Sequence, residues 1–157
     1  IIIKNNTSKG ILLRGYKNND FSDLMIFQKN NSLGNNEILS GNLLSIGKEL
    51  SFTLDLEVGD NVTLMSSAGV ETIIGNLPKQ KKFLVSSIFE SGLTDFDNNI
   101  AFINLDTLDE FFNLTKDDRN LEIFLKNPQN IENQKYIVQK IFPNEFVSRT
   151  RGRQMRR

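Results

Sequence analysis

The sequence predicts an α+β fold, and three observations carry that prediction. Two stretches alternate polar and apolar residues: Asn61-Val62-Thr63-Leu64-Met65, and a second from Lys82 through Phe83, Val85 and Ile88 towards Glu90. Alternation rich in β-branched and aromatic residues marks strands. Elsewhere, short apolar runs and helical stretches follow one another irregularly, as in a fold that mixes hairpins with helices. The end of the chain reads strand, helix, strand, a βαβ unit over residues 121–148.

Taken in order, Ile1-Ile2-Ile3 and Gly10 to Tyr16 read as two strands paired across the polar turn Asn5-Asn6-Thr7-Ser8. Asp20 to Gln28 reads as a short helix capped by Asp20 or Ser22, and Lys29 to Asn36 as a loop. Leu43 to Ile46 is a brief strand that leads into a helix of one to two turns from Gly47. Val58-Gly59-Asp60 turns the chain into the first alternating arm. After the second arm, Gly92 to Asn99 reads as a loop, Ile100 to Ile103 as a buried strand, and Thr107 to Phe112 as a helix capped by Asp106. Leu121 to Leu125 is a strand, Ile131 to Phe142 the clearest helix, stopped by Pro143, and Glu145 to Ser148 a last strand. The expected organisation is one α/β lobe from residues 1–36 and 114–148, with a mostly-β lobe, 37–113, inserted in it.

Composition removes several classes of chemistry. The chain has 157 residues, 38% of them apolar, which is enough for one domain or two small lobes. It has no Trp, so its twelve Phe must supply much of the core. It has no Cys and no His, which excludes disulfides, thiolate zinc sites, thiol nucleophiles and any catalytic or metal-binding imidazole. No cofactor is expected. Asp95 to Asn99 resembles the start of a calcium loop, but the sixth and twelfth positions are Ile100 and Asp106 where Gly and Glu are required, so a solvated turn is expected. Asp117-Asp118, and Glu49 with Asp55 or Glu57, read as exposed carboxylates rather than acid–base pairs.

The formal net charge is zero, but residues 149–157 hold five Arg and no acid. The other 148 residues carry 14 bases against 19 acids, a net charge of −5, so no nucleic-acid face is expected in the body. The Arg-rich end is expected to be a disordered terminus or an addition to the natural chain. No run approaches the ~20 apolar residues of a membrane span. The chain opens on Ile1 with no Met, and we expect it to be cut from a longer protein whose membrane helices lie outside it.

The stretch that points to function lies between the two alternating arms. About sixteen residues, 66–81, read as a loop, longer than the two to five of an ordinary hairpin. They contain Gly69, the apolar pair Ile73-Ile74, the turn Gly75-Asn76-Leu77-Pro78, and the run Lys79-Gln80-Lys81-Lys82. Apolar side chains at the end of a polar-flanked β-arm suit insertion into a partner, and the lysines suit steering of an acidic one. The competing reading is a loop folded back to bury Ile73, Ile74 and Leu77 in its own lobe.

An ordered set of phrases resembles a known family. These are Gly10-Ile-Leu-Leu-Arg-Gly15, Ile46 to Leu50, Leu56-Glu-Val-Gly-Asp-Asn-Val-Thr-Leu64, Gly75-Asn-Leu-Pro-Lys-Gln80, Phe83 to Gly92 and Asp97 to Ile103. In this order and spacing, from about residue 1 to 148, the chain resembles the periplasmic domain of the lipoprotein-releasing ABC transporter permeases LolC and LolE. That domain belongs to the periplasmic core type shared with macrolide exporters. The resemblance implies a porter-like βαβ lobe and a β-rich, sabre-like lobe with a long projecting hairpin. It implies a non-catalytic domain at the periplasmic face of the bacterial inner membrane, working with an ATPase subunit and a partner permease. Its role would be to dock the periplasmic carrier LolA during release of a lipoprotein to the outer membrane. The hairpin residues so implied are Thr72, Ile73, Ile74, Gly75, Asn76, Leu77 and Pro78, and the adjoining patch is Lys79, Gln80, Lys81 and Lys82. Ile73 stands near where the family's hairpin carries a proline. Two alternatives stand beside this reading. One is a macrolide-exporter-like or cell-division-type permease domain that binds an adaptor or a cell-wall hydrolase. The other is a hydrolase using carboxylates.

Overall fold

The computed structural model describes residues 1–24, 32–35, 39–73, 75–119, 122–123 and 131–141. The chain forms two compact units, Ile1–Arg119 and Asn120–Arg157. In the second, the apolar periodicity of the sequence gives the helix α5, Ile131–Ile141. Of the strand predicted at Leu121–Leu125 only Glu122 and Ile123 are described, and neither is in a strand; the strand predicted at Glu145–Ser148, the residues after Leu24 in the first predicted helix, and the Arg-rich end lie outside the described residues.

The first unit is a mixed sheet with short helices. Its strands are β1 (Ile2–Lys4), β2 (Thr7–Lys9), β3 (Leu12–Tyr16), β4 (Ser32–Gly34), β5 (Leu43–Gly47), β6 (Asn61–Thr72), β7 (Gly75–Phe89) and β8 (Ile100–Asn104). Its helices are α1 (Asn18–Ser22), α2 (Lys48–Leu54), α3 (Thr94–Asn99) and α4 (Leu105–Phe112). The strand order is β2-β1-β6-β7-β5-β8-β3, and β4 pairs with β7 off that path. β5 runs parallel to β7, and β3 parallel to β8; the other pairings are antiparallel. The mixture of parallel and antiparallel pairs with helices fits the predicted α+β class.

β8 shows why the sheet is covered on both faces. Its alternate residues Ile100 and Phe102 join one apolar cluster, and Ala101 and Ile103 join the other. Its run of apolar residues is thus the signature of a strand buried on two sides. The first cluster gathers Leu44, Ile46, Leu50, Leu54, Val62, Leu64, Phe83, Val85 and Phe111 among others. The second is aromatic: Phe102 lies 5.7 Å from Tyr16, 5.8 Å from Phe21, 5.1 Å from Phe89 and 6.4 Å from Phe96, ring centroid to centroid.

Several local expectations need correction. β1 and β3 are not partners. Thr7 and Ser8, read as part of a turn, belong to the strand Thr7–Lys9, which folds back on β1 across Asn5 and Asn6, with Asn5 in the left-handed region at φ 52°. An asparagine tolerates that conformation, so two residues suffice for the turn. β3 then passes to β8. α1 begins two residues before Asp20, and Ser22 closes it by donating to the Asn19 carbonyl at 3.0 Å rather than capping its start. Gly92–Asn99 is not all loop, because Thr94–Asn99 is helical. Nor is Asp97 solvated: it is buried, and its carboxylate accepts the Ser91 N–H at 3.1 Å through each oxygen. α4 is capped by Asn104 instead of Asp106; the Asn104 Oδ1 accepts from the Asp106 and Thr107 N–H groups at 2.9 and 3.4 Å.

The strand–helix transition at Gly47 is as predicted, and the structure gives its reason. A Cβ on Gly47 would lie 2.0 Å from the Asp97 carbonyl oxygen, so only glycine lets α3 approach this junction.

Candidate functional site

β6 and β7 form one long antiparallel pair, and this changes the picture of residues 66–81. The pairing runs from Asn61↔Leu84 to Thr72↔Gly75. The residues read as a long loop therefore carry strand on both sides. Polar side chains and Pro78 make this ladder look like a loop in sequence. The ladder absorbs the proline at an irregularity: between Ser66↔Lys79 and Val70↔Leu77, three residues of β6, Ser67 to Gly69, face Pro78 alone. Proline has no N–H to give to a ladder, and bulges are where strands tolerate it. The bulge divides the pair into a proximal part, 61–66 with 79–84, and a distal part, 70–72 with 75–77.

The proximal part is fixed in the core. Val62, Leu64, Phe83 and Val85 are all buried in the first cluster. Asp60, in the turn before β6, is pinned to β1 by a 2.8 Å ion pair with Lys4 and accepts the Glu57 N–H at 2.9 Å. Chiefly the hydrogen bond from Lys4, and then that from Glu57, holds the Asp60 carboxyl below its usual pKa.

The distal part presents apolar groups to solvent. Ile73 is fully exposed and Leu77 half-exposed. Gly75, also exposed, has φ 118° and open space where a Cβ would stand. Such a φ at the closing turn favours glycine. Pro78 is exposed as well. Thr72 and Asn76 take their places in the ladder opposite Gly75 and Glu71. Ile74 lies outside the described residues.

Strand alternation splits the predicted lysine patch into two faces. Lys79 and Lys81 share a face with Phe83 and Val85, and that face meets α4. Phe83 stacks edge-on against Phe111 at 6.2 Å. The Lys81 Nζ lies 3.1 Å from the Glu110 carboxylate. The Lys79 Nζ donates to the Glu110 carbonyl at 2.5 Å and to the Asn113 Oδ1 at 3.2 Å. A cation here meets carbonyls at a helix C-terminus, where the helix dipole favours positive charge. Gln80 and Lys82, on the opposite face, are exposed. Sequence reasoning missed Glu110 and Asn113. The available signal was weak: an acidic residue at the end of an amphipathic helix, and lysines two apart on a strand.

α4 is itself held from the other direction. Asp118 closes a 3-10 turn, Lys116–Asp118, by accepting the Thr115 N–H and hydroxyl at 2.8 and 2.9 Å. Arg119 then returns to α4, donating to Asp109 from Nε at 2.9 Å and Nη2 at 2.5 Å, and to Asp106 at 3.2 Å. Asp109 foremost raises the Arg119 pKa, so the guanidinium stays charged. Among the described residues, no three or more Asp or Glu side chains are grouped to hold a metal ion. None of the described helices is long and apolar enough to cross a membrane.

Comparison with known proteins places the sequence. No family model matches it. Similar proteins do: the lipoprotein-releasing system transmembrane protein LolC from two strains of Xylella fastidiosa is 33% identical over 69 residues and 36% identical over 63 residues. Those stretches cover 44% and 40% of this chain. LolC from Neisseria meningitidis serogroup B is 31% identical over 85 residues, 54% of this chain. Over these stretches the chain is similar to the LolC proteins of the LolC/LolE type. It matches between 15% and 20% of the length of these LolC relatives, so what it shares with LolC is one part of a larger transmembrane protein.

Proposed function

We propose that the chain is the periplasmic domain of an inner-membrane ABC permease, and that the tip of the β6–β7 pair docks a periplasmic lipoprotein carrier of the LolA type. In this reading the domain is non-catalytic. A separate subunit hydrolyses ATP, a partner permease completes the membrane complex, and a lipoprotein is handed from the complex to the carrier for transfer to the outer membrane. LolC relatives are named as components of a lipoprotein-releasing system, which supports the setting. The observation that carries the docking role is the exposure of Ile73 and Leu77 beyond the bulge, on strands whose proximal parts are fixed in the core.

The physics of such a site is simple. Burying an isoleucine or leucine in a partner's groove stabilises by about 1.5–3 kcal/mol each, which is enough to dominate a small interface. The short strands beside them add backbone shape and register. Gln80 and Lys82 face outward next to this tip and supply amide and positive groups for an acidic rim on the carrier, acting mainly on the encounter rate.

A pull-down tests the proposal. The domain lacking Thr72 to Leu77 should fail to retain the carrier that the intact domain retains. Equal retention would place docking elsewhere on the domain.

A further inference from the structure

We infer that the C-terminal end of α4 is a brace that sets the direction of the β6–β7 hairpin, with Glu110 and Asn113 as positioning residues. Three successive same-face positions of β7 engage that end: Phe83 on Phe111, Lys81 on the Glu110 carboxylate, and Lys79 on the Glu110 carbonyl and the Asn113 amide oxygen. Lys79 is the last residue of β7 paired before the bulge at Pro78. The brace thus stops where the ladder becomes irregular, and everything distal, including Ile73 and Leu77, hangs from the braced segment.

Geometry favours bracing over partner contact for these two lysines. Lys81 is only partly accessible, whereas Glu110 is well exposed. Lys79 meets a helix-terminal carbonyl, a fixed group that cannot rotate away as a side chain can. Asn113 is held in turn: it takes the left-handed conformation at φ 56° that ends α4, and its N–H bonds the Asp109 carbonyl. Asp109 is gripped by Arg119 from the other side. The support therefore runs from Arg119 through α4 to the hairpin base. An exposed ion pair alone contributes little, so the brace biases the hairpin rather than locking it. Its value for binding would be preorganisation, since a hairpin already aimed loses less freedom on docking. That last step rests on the docking role proposed above; the brace itself does not.

The test separates the two. Hydrogen–deuterium exchange of the segment from Val70 to Leu77 is measured in the free protein for Glu110→Lys, Lys81→Glu and the double reversal. Asn113→Gly serves as a further variant, because glycine keeps the left-handed helix end and removes only the side-chain acceptor. Loss of one exposed charge-assisted contact should speed distal exchange by roughly three- to fivefold in each single variant. The double reversal should return exchange to within roughly twofold of the parent, as expected when two positions couple directly. Unchanged exchange in the singles, or no rescue in the double, overturns the brace. Carrier affinity of the same four proteins is then read separately. If distal exchange responds but affinity does not, the brace stands and its preorganising contribution to docking fails, while the docking role itself stands or falls with the variant lacking Thr72 to Leu77.

Discussion

Phe102 is where single residues decide most. It is buried at the meeting point of four other rings, in a chain with no tryptophan to share the load. Phe102→Ala should cost about 3–5 kcal/mol of folding stability, read from urea unfolding, because the surrounding β8 and β7 backbones cannot collapse into the space. Ile73→Ala should cost almost none, since its side chain touches only solvent. Acid sensitivity also belongs to single residues. Asp60 and Asp118 both have pKa values held below the ordinary 3.8, by hydrogen bonds from Lys4 and Glu57 and from Thr115 respectively. A carboxylate with a depressed folded pKa stabilises fully above its unfolded pKa and loses that contribution as pH falls through the folded one. Urea midpoints should thus be level from about pH 7 to about pH 5 and drop below about pH 4. The drop should shrink in Asp60→Asn and again on adding Asp118→Asn. An unaltered acid profile in that double variant would contradict these pKa assignments. Of these residues, sequence marked the phenylalanines as core. It could not mark Glu110 or Asn113, whose roles exist only once α4 is laid against β7.

Among elements, those with local signals were legible and those defined by distant pairing were not. β5, α2, β8 and α5 follow from runs of 5 to 11 residues, because burial imprints a period on the sequence. β2 is three polar residues, Thr7–Lys9, and only its ladder to β1 makes it a strand. The parallel pairing of β3 with β8 joins residues nearly ninety positions apart, beyond any local pattern. α3 was hidden by its Asp and Asn content, which looks like a turn. The β6–β7 pair shows both cases: its apolar arms were readable, whereas its polar middle looked like a loop. Its two parts should behave differently. Amides of Val62, Leu64 and Val85, in the core, should exchange near the rate of global unfolding, while those around Leu77, beyond the bulge, should exchange orders of magnitude faster. Uniform protection along the pair would contradict a division at Pro78.

At the scale of the whole molecule, the acidic body and the exposed apolar β-tip are the features on which the proposed docking rests. The resemblance to LolC and LolE in ordered phrases is matched by the 31% to 36% identity to LolC relatives. Charge should enter through kinetics: Lys82→Glu, on the exposed face of β7, should lower the association rate with the carrier and weaken its salt dependence, leaving dissociation nearly unchanged. The most direct measurement is calorimetric titration of a LolA-type carrier into the domain and into its Ile73→Asp/Leu77→Asp variant, with urea unfolding run on both. The account predicts affinity weakened by roughly a hundredfold or more at an unchanged unfolding midpoint, since two buried aliphatic contacts would be lost and no core group touched. Equal affinity in the two proteins would contradict it.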